Sequence, residues 1–210
     1  DSAWFRLMDP DFRAHERDRQ INSLWSGHEQ LAETILGDDP QRTLEELIGA
    51  VKGGVPLSEL SATVAYAAMR RLVHFHTSNE VGDWNTVHHT FTYANAVDQA
   101  IRRAPSTYLA RAIFDGAMSV YLDRFLNLPK TPIPRAEANG VTEADILERF
   151  DTQQNVNETA ELVTSALMGG RHEEVIRTLG RAMLREDSGF HQFQMFDATI
   201  RQFRNFAGSE

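Results

Sequence analysis

Apolar residues recur at helical spacing along most of this chain, and Gly or Pro separates one apolar segment from the next. Between Pro40 and Gly53, for example, Leu44, Leu47 and Val51 fall on one face of a helix. The alternation of apolar and polar residues that is typical of strands is scarce. The sequence therefore predicts an all-α fold of eight or nine helices.

The helices are separated at one place by a longer segment without helical signals. The Pro-rich segment 129–141 predicts a linker. We expect one all-helical domain over 1–210, with possible halves 11–128 and 142–207. The predicted helices fall in 11–36 (one or two helices), 40–53, 56–77, 84–103, 105–125, 143–151, 155–168, 171–186 and 189–206. Asp39 and Asp83 are predicted N-caps, and Thr142 with Asp145 is typical of a capping box.

Two stretches of the chain share a pattern. Segments 47–74 and 162–191 each give a short helix, a Gly-Gly break, a longer helix, and then His beside or near Phe. This pattern favours two pseudo-repeated helical hairpins, in which His191 takes the place of His74 or His76. The alternative is that Gly-Gly helix ends recur without duplication.

Composition excludes several classes of function. The chain has no Cys, so disulfides, thiolate nucleophiles and cysteine-bound clusters are excluded. Its net charge is −9 and no basic stripe stands out, which argues against nucleic-acid binding. No apolar run approaches the about 20 residues that span a bilayer, and the first residues do not form a signal-peptide core. We expect a cytoplasmic protein.

Histidine is concentrated in one segment. Residues 74–89 hold four of the eight histidines, namely His74, His76, His88 and His89. The segment joins two predicted helices, so its imidazoles are expected at one end of a helical hairpin. Helical spacing favours an inward position for His76 and a solvent-facing one for His74. Imidazole is the commonest metal ligand and the usual acid or base near neutral pH.

A metal site follows from this grouping if the two halves pack face to face. Carboxylates near the histidines can ligate the metal or orient a ligand. Iron is the favoured ion, with manganese or zinc as alternatives. The predicted ligands are His76, His88, His89, His191, Asp83 and Glu80.

A second interpretation is acid–base catalysis without a cofactor. Here His88 or His89 acts as the base and Tyr93 or Asn95 polarises the substrate. His88 shares a helical face with Thr92, Asn95 and Gln99. Such a polar face in a core helix predicts either packing partners or a cavity.

The wording "HFHTSNEVGDWNTVHHTFTYANAV" at 74–97 and "REDSGFHQFQMFDA" at 185–198 resembles a group of uncharacterised bacterial all-helical, His-rich proteins associated with Rieske-type proteins. More distantly, the chain is similar to the questin-oxidase-like family, which is linked to oxidative ring opening of aromatic polyketides. The resemblance implies redox or oxygenase chemistry. Because a Rieske cluster needs two Cys, this chain would at most be a partner of a Rieske-type or other redox protein.

The sequence thus favours a metal-dependent oxidoreductase with a His-rich non-haem site that acts on a small apolar or aromatic substrate. The alternative is a non-catalytic helical module that binds a ligand or a partner, with structural or pH-sensing histidines. A homodimer is a further expectation, through the Phe residues of the last helix.

Overall fold

The computed structural model describes residues 25–137, 139–152 and 155–206, and this part of the chain is all-helical, as predicted. It contains nine α-helices, one short 3₁₀ helix and no strand. In the described part, no helix is both long and apolar enough to cross a membrane. The elements are α1 (His28–Leu36), α2 (Pro40–Lys52), α3 (Leu57–Val73), α4 (Val81–Arg103), α5 (Thr107–Leu122), the 3₁₀ helix η1 (Asp123–Leu126), α6 (Glu143–Phe150), α7 (Val156–Met168), α8 (His172–Arg185) and α9 (Phe190–Phe206).

Local chemistry sets several helix ends as the sequence predicts. The side chain of Asp39 accepts a hydrogen bond from Arg42 N at 3.0 Å and caps α2, with Pro40 as the first helical residue. At α6, Thr142 and Asp145 form the predicted capping box, in which each side chain binds the other residue's main-chain N–H. The predicted helix over 11–36 lies partly outside the described residues, which begin at residue 25.

Two predicted helix boundaries near the histidines are wrong. The helix predicted over 56–77 ends at Val73, so His76 belongs to a turn, and its helical face cannot be read from the sequence. The next helix begins at Val81, and its N-cap is Glu80 rather than Asp83. The physical reason is that Glu80 and Asp83 form a reciprocal capping box one turn earlier than a cap at Asp83 would allow.

The Gly-Gly breaks of the two similar stretches have the same conformation. Gly54 and Gly170 adopt φ of 78° and 76°, in the left-handed region that favours glycine. Each follows a glycine that caps the preceding helix, after α2 and after α7. The shared conformation accounts for the repeated sequence pattern. Duplication of the hairpins stays a prediction.

The described chain divides into two compact units. Of the described residues, the first unit comprises 25–129 and 201–206, and the second comprises the remainder from residue 130 to residue 200. The boundary after Pro129 falls at the start of the predicted linker. The predicted half 142–207 differs at its end, since the last turns of α9 belong to the first unit.

The core of the first unit forms around α3. This helix is rich in Ala, and its residues from Leu60 to Ala68 are buried apart from Tyr66. Small side chains let neighbouring helices approach closely, and larger apolar residues fill the space between them. The largest fully buried apolar side chains of this unit are Ile35, Leu47, Leu60, Val64, Val87, Phe91, Ile101, Ile113 and Val120.

The second unit has its own small apolar core. Val141, Ile146, Ala166 and Val175 are buried together, with four partly buried Leu and Val side chains around them. These residues come from α6, α7, α8 and the segment before α6. Each of the three helices therefore buries one apolar face against the other two.

Candidate functional site

The turn after α3 is held by its own hydrogen bonds. His74 is the C-cap of α3, and Phe75, buried with 3% exposure, follows it. His76 Nδ1 accepts from the main-chain N–H of Ser78 at 3.0 Å and lies 2.7 Å from Ser78 Oγ. The side-chain amide of Asn79 donates to the carbonyl of His76 at 2.9 Å. One ring nitrogen of His76 is thus engaged in the turn itself.

The two predicted carboxylate ligands cap a helix. Asp83 Oδ2 accepts from the main-chain N–H of Glu80 at 3.2 Å, and the side chain of Glu80 accepts from the main-chain N–H of Asp83. Carboxylates are favourable at a helix N-terminus because the helix dipole is positive there. This role accounts for both residues without a metal.

Aromatic rings line the start of α4. Phe75 meets Trp84 edge to face with ring centroids 4.8 Å apart, and Trp84 meets the ring of His88 at 5.6 Å. His88 is half-buried, whereas His89 is exposed. Edge-to-face and tilted packing of this kind stabilises aromatic clusters beyond their burial. The His88 ring is therefore part of a packed aromatic row.

His74 and His76 are both half-buried, so the predicted difference between them stays a prediction. His191 lies in the second unit, where its ring meets Phe190 with centroids 5.6 Å apart, whereas His76, His88 and His89 belong to the first unit. Within the described residues, no group of three or more His, Asp or Glu side chains is arranged to hold a metal ion. The metal and the roles predicted for these residues therefore stay predictions.

The polar face of α4 meets packing partners. Thr92 Oγ1 donates to the carbonyl of His88 at 2.9 Å, within the helix. Asn95, 7% exposed, accepts through Oδ1 from Gln202 Nε2 at 2.9 Å. Tyr93 is 40% exposed, its hydroxyl lies 3.4 Å from the carbonyl of Ala112, and burial together with Asp115 raises its pKa. The sequence predicted either packing partners or a cavity for this face. At Asn95 the structure shows a packing partner, Gln202.

A buried carboxylate that sequence reasoning missed lies on the same helix. Asp98 is fully buried and accepts from Ser61 Oγ at 2.9 Å, from Asn205 Nδ2 at 3.1 Å and from Gln202 Nε2 at 3.3 Å. Its ionic partner is Arg102, one turn later, at 3.1 Å. This network fastens the last turns of α9 to α3 and α4. The polar face of α4 was a signal for it, but two of its partners, Gln202 and Asn205, lie 104 and 107 residues away in sequence.

A second buried polar cluster joins the ends of three helices. Arg71, 8% exposed, donates to the carbonyl of Leu36 at 2.8 Å and to that of Val120 at 3.3 Å. Its own carbonyl accepts from Asn127 Nδ2 at 3.2 Å. The guanidinium and the amide thus satisfy carbonyls at helix C-termini, which lack partners within their helices. In the sequence Arg71 is one of two adjacent arginines, and no local pattern indicates its partners.

Segment 122–128 has one polar buried side and one apolar exposed side. Asp123 and Asn127 are 3% and 6% exposed, whereas Leu122, Phe125 and Leu128 are 58%, 64% and 74% exposed. Leu122 ends α5, Phe125 lies on η1 and Leu128 follows η1. We call Leu122, Phe125 and Leu128 the apolar ridge. The guanidinium of Arg124 lies 3.8 Å from the centre of the Phe125 ring.

Comparisons with models of protein families, with curated proteins and with solved structures find no match to this chain.

Proposed function

We propose that the chain is a non-catalytic helical module that binds a partner protein through the apolar ridge, and that its histidines serve structure. The observation that carries the proposal is the exposure of three large apolar side chains on one short segment. Exposed apolar residues that are clustered in this way mark interaction surfaces more often than scattered ones do.

The base of the ridge supports a binding role because it is fixed. Asp123 and Asn127 of the same segment are buried, and Asn127 donates to the carbonyl of Arg71. Arg124 lies flat between two rings, 3.6 Å from the centre of Tyr121 and 3.8 Å from that of Phe125. A rigid surface loses less conformational entropy on binding. Arg and aromatic side chains are also the residues that most often dominate binding energy.

The chemistry of the ridge indicates the partner. Exposed Leu and Phe side chains on one short segment fit an apolar groove. The partner we propose is therefore a protein with an apolar groove. Arg124 at the side of the ridge favours a groove with an acidic rim.

The contacts of the histidine turn support the non-catalytic part of the proposal. His76 Nδ1 binds Ser78, and Glu80 and Asp83 cap α4. His88 packs on Trp84. Each of these groups already has a structural role that does not need a substrate or a metal.

Site-specific photocrosslinking tests the proposal. A photoreactive residue at Leu128, in the cells that make the protein, is expected to give a discrete adduct with one partner. The matched control is the same residue at Tyr108, which is 79% exposed in the same unit at the other end of α5. The substitution Phe125→Glu is expected to abolish the Leu128 adduct. Equal adducts from both positions, or an adduct that survives Phe125→Glu, would contradict the proposal.

The second candidate is a metal-dependent oxidoreductase acting on a small apolar or aromatic substrate. The grouping of four imidazoles between His74 and His89 favours it. It predicts a stoichiometric metal, iron first, that is lost when His88 is replaced by Ala. Its partners would then be a small-molecule substrate and a Rieske-type or other redox protein.

A further inference from the structure

Asn139 is the only one of the chain's nine asparagines that is followed by glycine. An Asn side chain can cyclise on the main-chain nitrogen of the next residue, and glycine hinders this attack least because it has no Cβ. Asn139 and Gly140 are both exposed in the segment before α6, and a Cβ added to Gly140 would meet no atom within 4 Å. Water therefore has access to this pair of residues, and ammonia can leave it.

The side chain of Asn139 is folded back over Gly140. The main-chain N–H of Val141 donates to Asn139 Oδ1 at 3.2 Å, which closes a turn of the kind that Asn side chains favour. A main-chain N–H can only donate, so the atom facing it is the oxygen of the amide and not its nitrogen. The two atoms that would react, Asn139 Cγ and Gly140 N, thus belong to one closed turn, and no second molecule has to be brought to them.

A second donor reaches the same oxygen from α7. Ser165 is 1% exposed, and its Oγ lies 2.7 Å from Asn139 Oδ1 and 2.7 Å from the carbonyl of Glu137. The main-chain N–H of Asn139 donates to Ser165 Oγ at 3.3 Å, which leaves the hydroxyl hydrogen to point to either of these oxygens. Donors placed at a carbonyl oxygen stabilise the negative charge that it gains when its carbon is attacked.

We propose that Asn139 and Gly140 form a self-modification site, at which Ser165 and the N–H of Val141 stabilise the attacked amide. Hydroxide removes the proton of the Gly140 nitrogen, which then bonds to Asn139 Cγ, and the carbonyl electron pair moves onto Oδ1. When that pair returns, the bond from Cγ to Nδ2 breaks, and ammonia leaves with a proton from water. Water then opens the cyclic imide at one of its two carbonyls, which gives either an aspartate or an isoaspartyl linkage at position 139.

The residues after this site connect the modification to the stability of the second unit. Val141 is buried in the apolar core of that unit, and Thr142 caps α6. An isoaspartyl linkage inserts a CH₂ group into the main chain just before them and moves the side-chain oxygen away from Ser165. Because a weakened cap costs about 1 kcal/mol, exchange protection in the first turn of α6 is expected to fall about fivefold. The site is independent of the apolar ridge and its partner.

Peptide mass spectrometry of the full chain, incubated at mildly alkaline pH, measures the conversion at position 139. Labelling by an isoaspartyl methyltransferase separates the two products. We expect conversion to be faster in the folded chain than in guanidinium chloride at the same pH. In the folded protein, Ser165→Ala is expected to slow it about tenfold, less than in an enclosed site because Asn139 is exposed. The matched control is Thr164→Ala on the same helix, whose hydroxyl donates to the carbonyl of Ala160 and which should leave the rate unchanged.

Two results would overturn the proposal. One is conversion at position 139 that is absent, or no faster in the folded chain than in the unfolded chain. The other is a folded Ser165→Ala variant that converts as fast as Thr164→Ala. If Ser165→Ala does not fold, the comparison of the folded and unfolded unmodified chain decides, because that comparison needs no substitution.

Discussion

Replacing Asp98 by Ala is expected to destabilise the first unit more than any change at its surface. The carboxylate is fully buried and accepts hydrogen bonds from Ser61, Asn205 and Gln202, and it pairs with Arg102. Hydrogen bonds to a charged group contribute about 1.5–3 kcal/mol each. Adding these contributions overstates the loss of unfolding free energy, because several of the donors have a second hydrogen-bond partner.

Other hydrogen bonds of the groups that bind Asp98 reduce the expected loss of stability. Ser61 Oγ also donates to the carbonyl of Ser58 at 3.1 Å, and Asn205 also donates to Gln202 Oε1 at 3.3 Å. Arg102, with 38% of its side chain exposed, can turn to water. We therefore expect the free energy of unfolding to fall by about 3–4 kcal/mol, the usual cost of breaking a buried ionic network.

Urea unfolding followed by tryptophan fluorescence measures this loss, since Trp25 and Trp84 both lie in the first unit. With a slope of about 1–3 kcal/mol per M, the midpoint is expected to fall by about 1–4 M. The control is Arg42→Ala, which breaks an exposed pair with Glu46 and should cost less than about 1 kcal/mol. A loss for Asp98→Ala no larger than that of the control would refute the role of the network.

Three further changes have expected outcomes of their own. Because burial raises the pKa of Asp123 in the folded protein, the free energy of unfolding should fall as pH rises from 3.8 through that raised pKa, so Asp123→Asn should flatten urea midpoints measured upward from pH 3.8. Hydrogen bonds from Thr142 lower the pKa of Asp145, so α6 should lose exchange protection as pH falls through that lowered pKa, and less so in Asp145→Asn. Gly54→Ala should lower the free energy of unfolding by about 1 kcal/mol, and with it the melting temperature, because φ at this position is 78°. Gly49→Ala, at a helical position with open space around it, should raise the melting temperature.

Local features of the sequence predicted the helices well. The cap at Asp39 and the capping box at Thr142 were found because each depends on residues within one turn. The end of α3 was missed because the helical spacing of apolar residues continues through Phe75. Phe75 is buried, but it lies in the turn after the helix. The start of α4 was missed because Asp is a preferred N-cap and Glu is not, whereas this helix begins directly after Glu80.

The buried polar contacts could not be read from the sequence. Asn95 was singled out, but its partner Gln202 lies more than a hundred residues away, and no local pattern joins the two. Asp123 and Asn127 are buried because a 3₁₀ helix follows α5. Its three residues per turn place side chains in other directions than a continued α-helix would. The same change of direction turns Phe125 outward, although the sequence placed it among the apolar residues of a longer helix.

Metal content tests most directly the central claim that the histidines are structural. Untagged protein, purified without chelators and then incubated with Fe²⁺, Mn²⁺ or Zn²⁺ and desalted, is measured by elemental analysis beside His88→Ala and His191→Ala. We predict no stoichiometric metal in any of the three proteins, with His88→Ala only less stable because it loses its contact with Trp84. One metal ion per chain that is lost in His88→Ala would contradict the account and establish the metal site.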